Sequence, residues 1–181
     1  MSHYVLDACA LVNLHCGWGG LKELQTFGVS WSIGDIALQE ALFIRDFDVH
    51  GAVHKVMLDP TSVVADGTLQ ILSLGSAPEH ASLVEFALDL DDGEAQALSL
   101  ARHRQLVLVT DDRPAIRVAS APKVAVPTLG TPDVLMAWVA AHAQCQSRLP
   151  EVIRRISILG AFQLKKSARH HGWWQAFLES D

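Results

Sequence analysis

The sequence predicts an α/β fold, a three-layer sandwich with a mainly parallel central sheet. Two observations predict this class. Short apolar runs alternate with segments of helical pattern along most of the chain. Residues 106–110 form an apolar run without a charged residue, as expected for a parallel strand that is covered on both faces.

The elements of the first half are predicted from its breaks and caps. Gly17, Gly19 and Gly20 end a helix, Asp35 can cap the next one, and Pro60 interrupts a stretch rich in β-branched residues. The predicted strands are residues 4–6, 29–33 and 69–74, and the predicted helices are residues 8–15, 21–27 and 35–45. Residues 46–67 are predicted to form mixed short elements.

The second half is predicted to be mostly helical. Pro78 starts a helix that runs to residue 88, and Asp91 or Asp92 opens another that runs to residue 104. The predicted strands are residues 106–110 and 124–126, with a helix at residues 113–120 between them. After Gly130 the predicted helices are residues 133–142, 150–159 and 173–178.

Composition limits the class of protein. Half of the 181 residues are apolar and 19% are charged, which is typical of one globular domain. The cysteines Cys9, Cys16 and Cys145 are odd in number and widely scattered, which favours reduced thiols in a cytoplasm, and they form no CxxC pair that could hold zinc. We see neither a signal-peptide pattern nor the ~20 apolar residues of a membrane span, so we expect a cytoplasmic protein. The net charge of −6 argues against a nucleic-acid-coating protein but not against a nuclease.

Four acidic positions stand where an α/β protein rarely places a charge. Asp7 ends the first apolar strand, the adjacent Asp111 and Asp112 end a later one, and Glu40 and Glu94 lie on predicted inward helical faces. The carboxyl ends of parallel strands form one crevice, so these acids are expected to meet there. Carboxylates brought together repel each other, and a divalent cation relieves the repulsion. Oxygen ligands of this kind favour Mg²⁺ or Mn²⁺.

Each acid also has a structural reading. Asp7 and Asp112 can cap the helices that follow them, and Glu94 has the capping-box spacing from Asp91. Glu40 can take part in a buried ion pair, or its helical register can differ from the predicted one. The four coincidences together are less expected than any one of them.

Two clusters of basic residues could hold RNA. One is residues 102–104, and the other consists of Lys165, Lys166, Arg169, His170 and His171. The alternative for both is a solvated surface. The nine histidines form no HExxH motif, which argues against a histidine metal site of that kind.

The order of these motifs resembles that of the PIN-domain nucleases, which include the VapC-like toxins of toxin–antitoxin pairs. The resemblance covers about residues 3–130 and consists of the segments 4–8, the helix bearing Glu40, and residues 92–101 and 109–113. It implies a PIN-like core at residues 1–130, with a C-terminal helical extension at residues 131–181 packed on the same domain.

The resemblance further implies a Mg²⁺- or Mn²⁺-dependent endoribonuclease with an acidic quartet. Asp7 is the first acid and Glu40 the second, Glu94 stands third where many members carry Asp, and Asp112 is favoured over Asp111 as the fourth. Asp7, Glu94 and Asp112 would hold one or two metal ions that activate a water for attack on phosphorus. Glu40 would bind the metal indirectly or steer the water, and Thr110 would hold an acidic side chain through a hydrogen bond.

Partners and rival functions follow from the same residues. A toxin of this kind meets an RNA substrate and a cognate antitoxin, and a homodimer is also considered. Trp138, Trp173 and Trp174 are either core or part of a partner surface. An aspartate-nucleophile phosphatase would need a second aspartate where Cys9 stands. The main alternative is a catalytically inactive PIN-like binding module.

Overall fold

The central sheet has five parallel strands in the order β5-β2-β1-β6-β7. The computed structural model describes residues 3–41 and 43–179. The strands of this sheet are β1 (His3–Leu6), β2 (Ser30–Gly34), β5 (Leu69–Leu72), β6 (Val107–Val109) and β7 (Thr128–Leu129). A separate antiparallel hairpin is formed by β3 (Phe43–Phe47) and β4 (Val53–Met57).

Helices cover both faces of the sheet. They are α1 (Ala8–Trp18), α2 (Asp35–Glu40), α3 (Thr61–Ala65), α4 (Ala77–Phe86), α5 (Asp92–Arg104), α6 (Arg113–Ala119), α7 (Thr131–Ala141), α8 (Leu149–Leu159) and α9 (His171–Leu178). Two 3₁₀ helices lie at Lys22–Phe27 and Ala143–Arg148. No helix within the described ranges is long and apolar enough to cross a membrane.

Alternation along β1 places the two cores. Val5 belongs to a cluster built with α5 and α6, whereas its neighbour Leu6 belongs to a larger cluster built with α1, α7, α8 and α9. Successive strand residues point to opposite faces, so each face buries its own layer of helices. The predicted three-layer α/β sandwich is therefore confirmed.

The strand register places the future site at one edge of the sheet. Leu6 lies beside Val109, and Val109 lies beside Leu129. The next residues continue these pairs, since Asp7 N donates to Val109 O (3.0 Å) and Thr110 N donates to Leu129 O (2.9 Å). The carboxyl ends of β1, β6 and β7 therefore lie side by side.

The C-terminal helices pack against α1. The Ile156 side chain of α8 would lie 2.8 Å from a Cβ added at Gly17, so this glycine permits the close approach. Trp138 and Trp174 are fully buried, which confirms that they belong to the core, while Trp173 is half-buried. The division of the chain at residue 130 stays a prediction.

Two sequence-based elements are wrong. The helix predicted at residues 35–45 ends at Glu40. Residues 43–47 instead form strand β3, in which the Ile44 side chain is buried. Leu42, inside that prediction, lies outside the described residues, as do Met1, Ser2, Ser180 and Asp181. Apolar residues two and three apart fit both a helical and a strand pattern, and pairing with β4 decides for the strand.

The strand predicted at residues 124–126 is a turn. The amides of Val124 and Ala125 both donate to Ala121 O, and Ala125 has a left-handed backbone (φ 49°). Val126 is apolar because it packs into the cluster around α5, not because it is in a strand. The edge strand β7 begins two residues later, at Thr128.

Candidate active site

Asp7 is a fully buried carboxylate that is only half satisfied. It follows β1 directly and caps α1, with Oδ1 accepting from Ala10 N (2.6 Å). Oδ2 is buried and has no hydrogen-bond partner of good geometry among the described residues. Burial raises the pKa of Asp7 to about 7; the Thr110 hydroxyl and the Ala10 amide lower it in part, and the charges of Asp111 and Glu94 raise it further.

Asp111 lies beyond the end of β6, next to Asp7, and is fully satisfied. Its Oδ1 accepts from Thr131 N (2.9 Å), and its Oδ2 accepts from the Thr131 hydroxyl and from Asn13 Nδ2 (3.1 Å). Burial raises its pKa, although these hydrogen bonds lower it in part. The carboxylate thereby ties the first turn of α7 to α1 and to the end of β6, because Gly130, the N-cap of α7, has no capping side chain.

Asp112 is the N-cap of α6. Its Oδ1 accepts from Ala115 N (2.8 Å), and its backbone N–H donates to the Thr110 hydroxyl (3.0 Å). Thr110 is fully buried and so fixes the turn that leads from β6 into α6. The predicted cap is therefore confirmed. Asp112 also lines the cleft described below, and its role as a site residue stays a prediction.

Glu94 lies in the first turn of α5, partly buried, as predicted for its inward face. Burial raises its pKa to about 7, and the charges of Asp112, Asp91 and Glu40 raise it further. The capping box with Asp91 is incomplete because the Asp91 side chain makes no capping hydrogen bond. Glu94 therefore lies close to three other acidic side chains.

Glu40 is exposed, so its predicted place on an apolar helical face is wrong. The cause is the early end of α2. The carboxylate nevertheless reaches the predicted neighbourhood, since Oε1 accepts from Gly93 N (2.9 Å) in the first turn of α5 and its charge raises the pKa of Glu94. A Cβ on Gly93 would collide with Glu40 (2.8 Å from Oε1), so this glycine makes the contact sterically feasible.

A cleft of about 840 Å³ lies at this edge of the sheet. Its acidic lining residues, here called the acidic side, are Glu94, Asp111, Asp112 and Asp133. Residues 161–165 and 167–170, from an irregular segment between α8 and α9, supply much of the remaining lining and are here called the basic side. Its basic lining residues, together with one from α6, are Arg113, Lys165, Arg169 and His170. The cleft therefore pairs a carboxylate cluster with cations that could hold an anionic substrate.

The two basic clusters differ in what their charges contact. Arg104 pairs with the buried Glu79 (2.7 Å), His103 bonds the Ser82 hydroxyl (2.8 Å), and Arg102 faces Glu85 (3.7 Å). The cluster at residues 102–104 is therefore engaged within the protein. Lys165 and Arg169 are exposed and line the cleft.

The donor set fits a hard divalent cation only in part. In favour, Asp7 Oδ2 is a buried oxygen that lacks a well-oriented partner in the described ranges, and the acids whose charges act on Asp7 are oxygen donors. Against, no three His, Cys, Asp or Glu side chains in the described part of the chain are grouped closely enough to hold a metal ion. Since Asp112 Oδ1 is engaged as a cap, a metal there would require side-chain rotation.

Sequence reasoning missed several side chains of the site. Asn13 is a buried amide on the otherwise apolar face of α1, which is the signal that could have identified it. Thr131 and Asp133 follow Gly130 at the end of β7, the same edge position that identified Asp7. Cys9 lines the cleft, and burial and the surrounding acids raise its pKa to about 12, so it remains a neutral thiol.

Comparisons with known proteins add one finding. No family model matches the chain, and no curated protein matches it. Among solved structures, it is similar to a PilT N-terminus domain protein, SSO1118, from the hyperthermophilic archaeon Sulfolobus solfataricus P2. The TM-score is 0.49 and the identity 15%, over 76% of this chain and 93% of that one. At these values the likeness adds nothing on activity or site residues.

Proposed function

We propose that the protein is a Mg²⁺- or Mn²⁺-dependent endoribonuclease of the PIN type. The observation that carries the proposal is Asp7 Oδ2, a buried carboxylate oxygen beside Asp111 and Glu94. Among the described residues it has no hydrogen-bond partner of good geometry. Burying a charged carboxylate without full hydrogen bonding costs free energy, and a cation bound there would offset that cost. The resemblance of the acidic motifs to PIN-domain nucleases supports the same conclusion.

Asp7, Glu94 and Asp112 are the residues that would hold the metal. When bound, Mg²⁺ or Mn²⁺ supplies a water of lowered pKa and stabilises charge on the phosphate oxygens. Glu40 stands behind Glu94, where its negative charge favours a cation. Thr110 keeps Asp112 in place through the hydrogen bond to its backbone N–H.

The basic side of the cleft would hold the RNA backbone. Arg113, Lys165 and Arg169 line it and are exposed. The net charge of −6 repels RNA elsewhere on the surface, so local cations must position the phosphates. The acidic side then faces the bond to be cut.

The biological setting is proposed on the resemblance alone. We propose that the ribonuclease is the toxin of a toxin–antitoxin pair in the cytoplasm, and that a cognate antitoxin covers the cleft. A homodimer is the other assembly consistent with this proposal.

The alternative is a PIN-like binding module without catalysis. It is favoured by the absence of a ready group of three metal ligands within residues 3–41 and 43–179. Such a module would bind RNA at the basic side and leave it intact.

The test is cleavage of a mixture of structured and single-stranded RNA with EDTA, Mg²⁺ or Mn²⁺. Wild type is compared with Asp7→Asn and with a control, Asp89→Asn, whose side chain is exposed and lies outside the cleft. We expect metal-dependent cutting by wild type and the control, and a loss of about 1,000-fold or more in Asp7→Asn. Cutting by Asp7→Asn at the wild-type rate would contradict the proposal. RNA binding without cutting by any form would favour the binding module.

A further inference from the structure

We propose that His170 is a catalytic residue of this site, which donates a proton to the sugar oxygen that leaves phosphorus, and that Asp133 positions it. The inference rests on the proposed function and extends it to the C-terminal segment, which lies outside the motifs that resemble PIN-domain nucleases. It assigns a proton donor to the same cleft, in contact with one of its carboxylates.

The pair has the geometry of an oriented histidine. His170 Nε2 lies 2.8 Å from Asp133 Oδ1, and the side chains are 16% and 27% exposed. Asp133 is itself fixed, since its Oδ2 accepts from Gly130 N (2.9 Å) at the start of α7. A histidine held by an anchored carboxylate keeps one ring orientation and one tautomer.

The hydrogen-bond direction identifies the reactive nitrogen. An ionised carboxylate only accepts, so Nε2 carries the hydrogen shared with Asp133. Nδ1 has no hydrogen-bond partner in the described ranges and can carry the proton to be donated. The proposed donor is therefore Nδ1–H of the doubly protonated ring, with Nε2–H held by Asp133.

The pair is close to the acidic side. Asp111 Oδ1 and Asp133 Oδ2 lie 2.9 Å and 3.7 Å from the position of a Cβ on Gly130, and the charge of Asp133 raises the pKa of Asp111. His170, Glu94 and Asp112 line the same cleft. A phosphodiester bound there would meet both carboxylates and the imidazole.

The proposed step is balanced as a hydrolysis. A water oxygen forms a bond to phosphorus, and one proton of that water passes to solvent. The bond from phosphorus to the sugar oxygen breaks, and its electron pair stays on that oxygen. The oxygen takes the proton from His170 Nδ1, and the neutral imidazole regains a proton from solvent.

Other charged groups surround His170. Asp133 faces it from α7, Lys165 and Arg169 lie on its own segment, and Arg113 lines the cleft from α6. His171 takes no part, because its Nδ1 bonds Leu164 O (3.0 Å).

A purely structural role is the competing explanation, since the pair also fastens residues 161–170 to α7. His170→Gln separates the two roles. Its amide can still donate to Asp133 in place of Nε2, but it cannot transfer a proton. His171→Gln serves as the matched control in the same segment.

The experiment measures single-turnover cleavage in Mn²⁺ of three short RNAs of one sequence. One has normal linkages, one has sulfur in place of the bridging 3′ oxygen at the cut site, and one has it in place of the 5′ oxygen. A thiolate leaves without a proton donor, so the thio-substrate that places sulfur in the leaving position bypasses His170.

We expect His170→Gln to slow cleavage of the normal RNA about 100-fold or more, and to cleave one of the two thio-substrates at nearly the wild-type rate. Asp133→Asn should show a smaller defect with the same rescue, and His171→Gln none. Thermal unfolding of each variant checks the fold. Wild-type cleavage with no defect in His170→Gln, or with an equal defect on all three substrates, would overturn the inference. If wild type cuts no RNA with metal, the proposed function falls first and the inference with it.

Discussion

Asp7 and Asp111 follow neighbouring strands, and their carboxylates are satisfied to different degrees. Asp7 is buried and Asp111 is half-buried. Asp111 accepts three hydrogen bonds, from Thr131 N, the Thr131 hydroxyl and Asn13. Asp7 has one, from Ala10 N, and its second oxygen has no good partner among the described residues. The two acids share a strand edge and differ in their surroundings.

This difference distinguishes Asp111, a structural anchor, from Asp7, the proposed metal ligand. A carboxylate whose two oxygens both accept hydrogen bonds links the elements that donate to it. Its removal leaves those donors without an acceptor. A carboxylate with an unengaged buried oxygen costs free energy in the metal-free protein and gains it back when a cation binds. We therefore expect substitutions at the two positions to change stability in opposite directions.

The largest effect is expected from pH on the metal-free protein. Asp7 has a pKa raised to about 7, so its protonated form favours folding. This stabilisation is complete below about pH 4 and is lost as pH rises through 7, by an amount on the order of 4 kcal/mol. Urea unfolding from pH 4 to 8 should show a decline in the free energy of unfolding that is smaller in Asp7→Asn than in wild type.

The comparison of the two curves isolates Asp7. Glu94 also has a pKa raised to about 7, so its contribution to stability falls over the same pH range. That fall remains in Asp7→Asn. Burial lowers the pKa of His15, so its contribution to stability rises with pH, equally in wild type and in Asp7→Asn. A difference curve that is flat from pH 4 to 8 would contradict the raised pKa of Asp7.

Asp111→Ala should destabilise the protein by about 3 kcal/mol. It leaves Thr131 N, the Thr131 hydroxyl and Asn13 Nδ2 without their acceptor in a buried place. Chemical unfolding at neutral pH measures it, with Asp89→Asn as the control. A loss below about 1 kcal/mol would show that Asp111 is not an anchor.

Asp112 should separate its two roles by substitution. Asp112→Ala removes the cap of α6 and should cost about 1 kcal/mol, whereas asparagine retains an oxygen for Ala115 N and should cost little. Both variants should lose RNA cleavage if Asp112 holds the metal. Full activity of Asp112→Asn would leave it only the role of a cap.

The smallest effect on stability is expected from Gly93→Ala. The added methyl displaces the Glu40 carboxylate from Gly93 N, and the better helix propensity of alanine offsets the lost hydrogen bond, so stability should change by less than about 1 kcal/mol. Activity should fall to the level of Glu40→Gln, measured in the same cleavage assay. Wild-type activity in both would remove Glu40 from the site.

The layer architecture followed from the sequence because apolar runs and caps are local signals. The run at residues 106–110 and the Asp112 cap with Pro114 behind it gave β6 and α6 nearly at their observed bounds. The strand after Glu40 could not be predicted, because the spacing of its apolar residues fits both a helix and a strand. Pairing with β4, which is not local in sequence, decides for the strand.

The candidate site followed in part. Asp7, Asp111 and Asp112 were placed correctly because strand ends are readable and parallel strands share an edge. The degree to which each carboxylate is satisfied was not readable, since Asn13 and Thr131 lie about 100 and 20 residues from Asp111 along the chain. The His170–Asp133 pair depends on how residues 161–170 fold over the sheet edge, which no local pattern encodes.

The most direct test is calorimetric titration of Mn²⁺ into metal-free wild type, Asp7→Asn and Asp133→Asn at pH 7.5. We predict that wild type and Asp133→Asn bind the ion at one class of site and that Asp7→Asn does not, while all three stay folded. Equal binding by Asp7→Asn and wild type, or no binding by wild type, would contradict the assignment of the unpartnered Asp7 oxygen to a metal site.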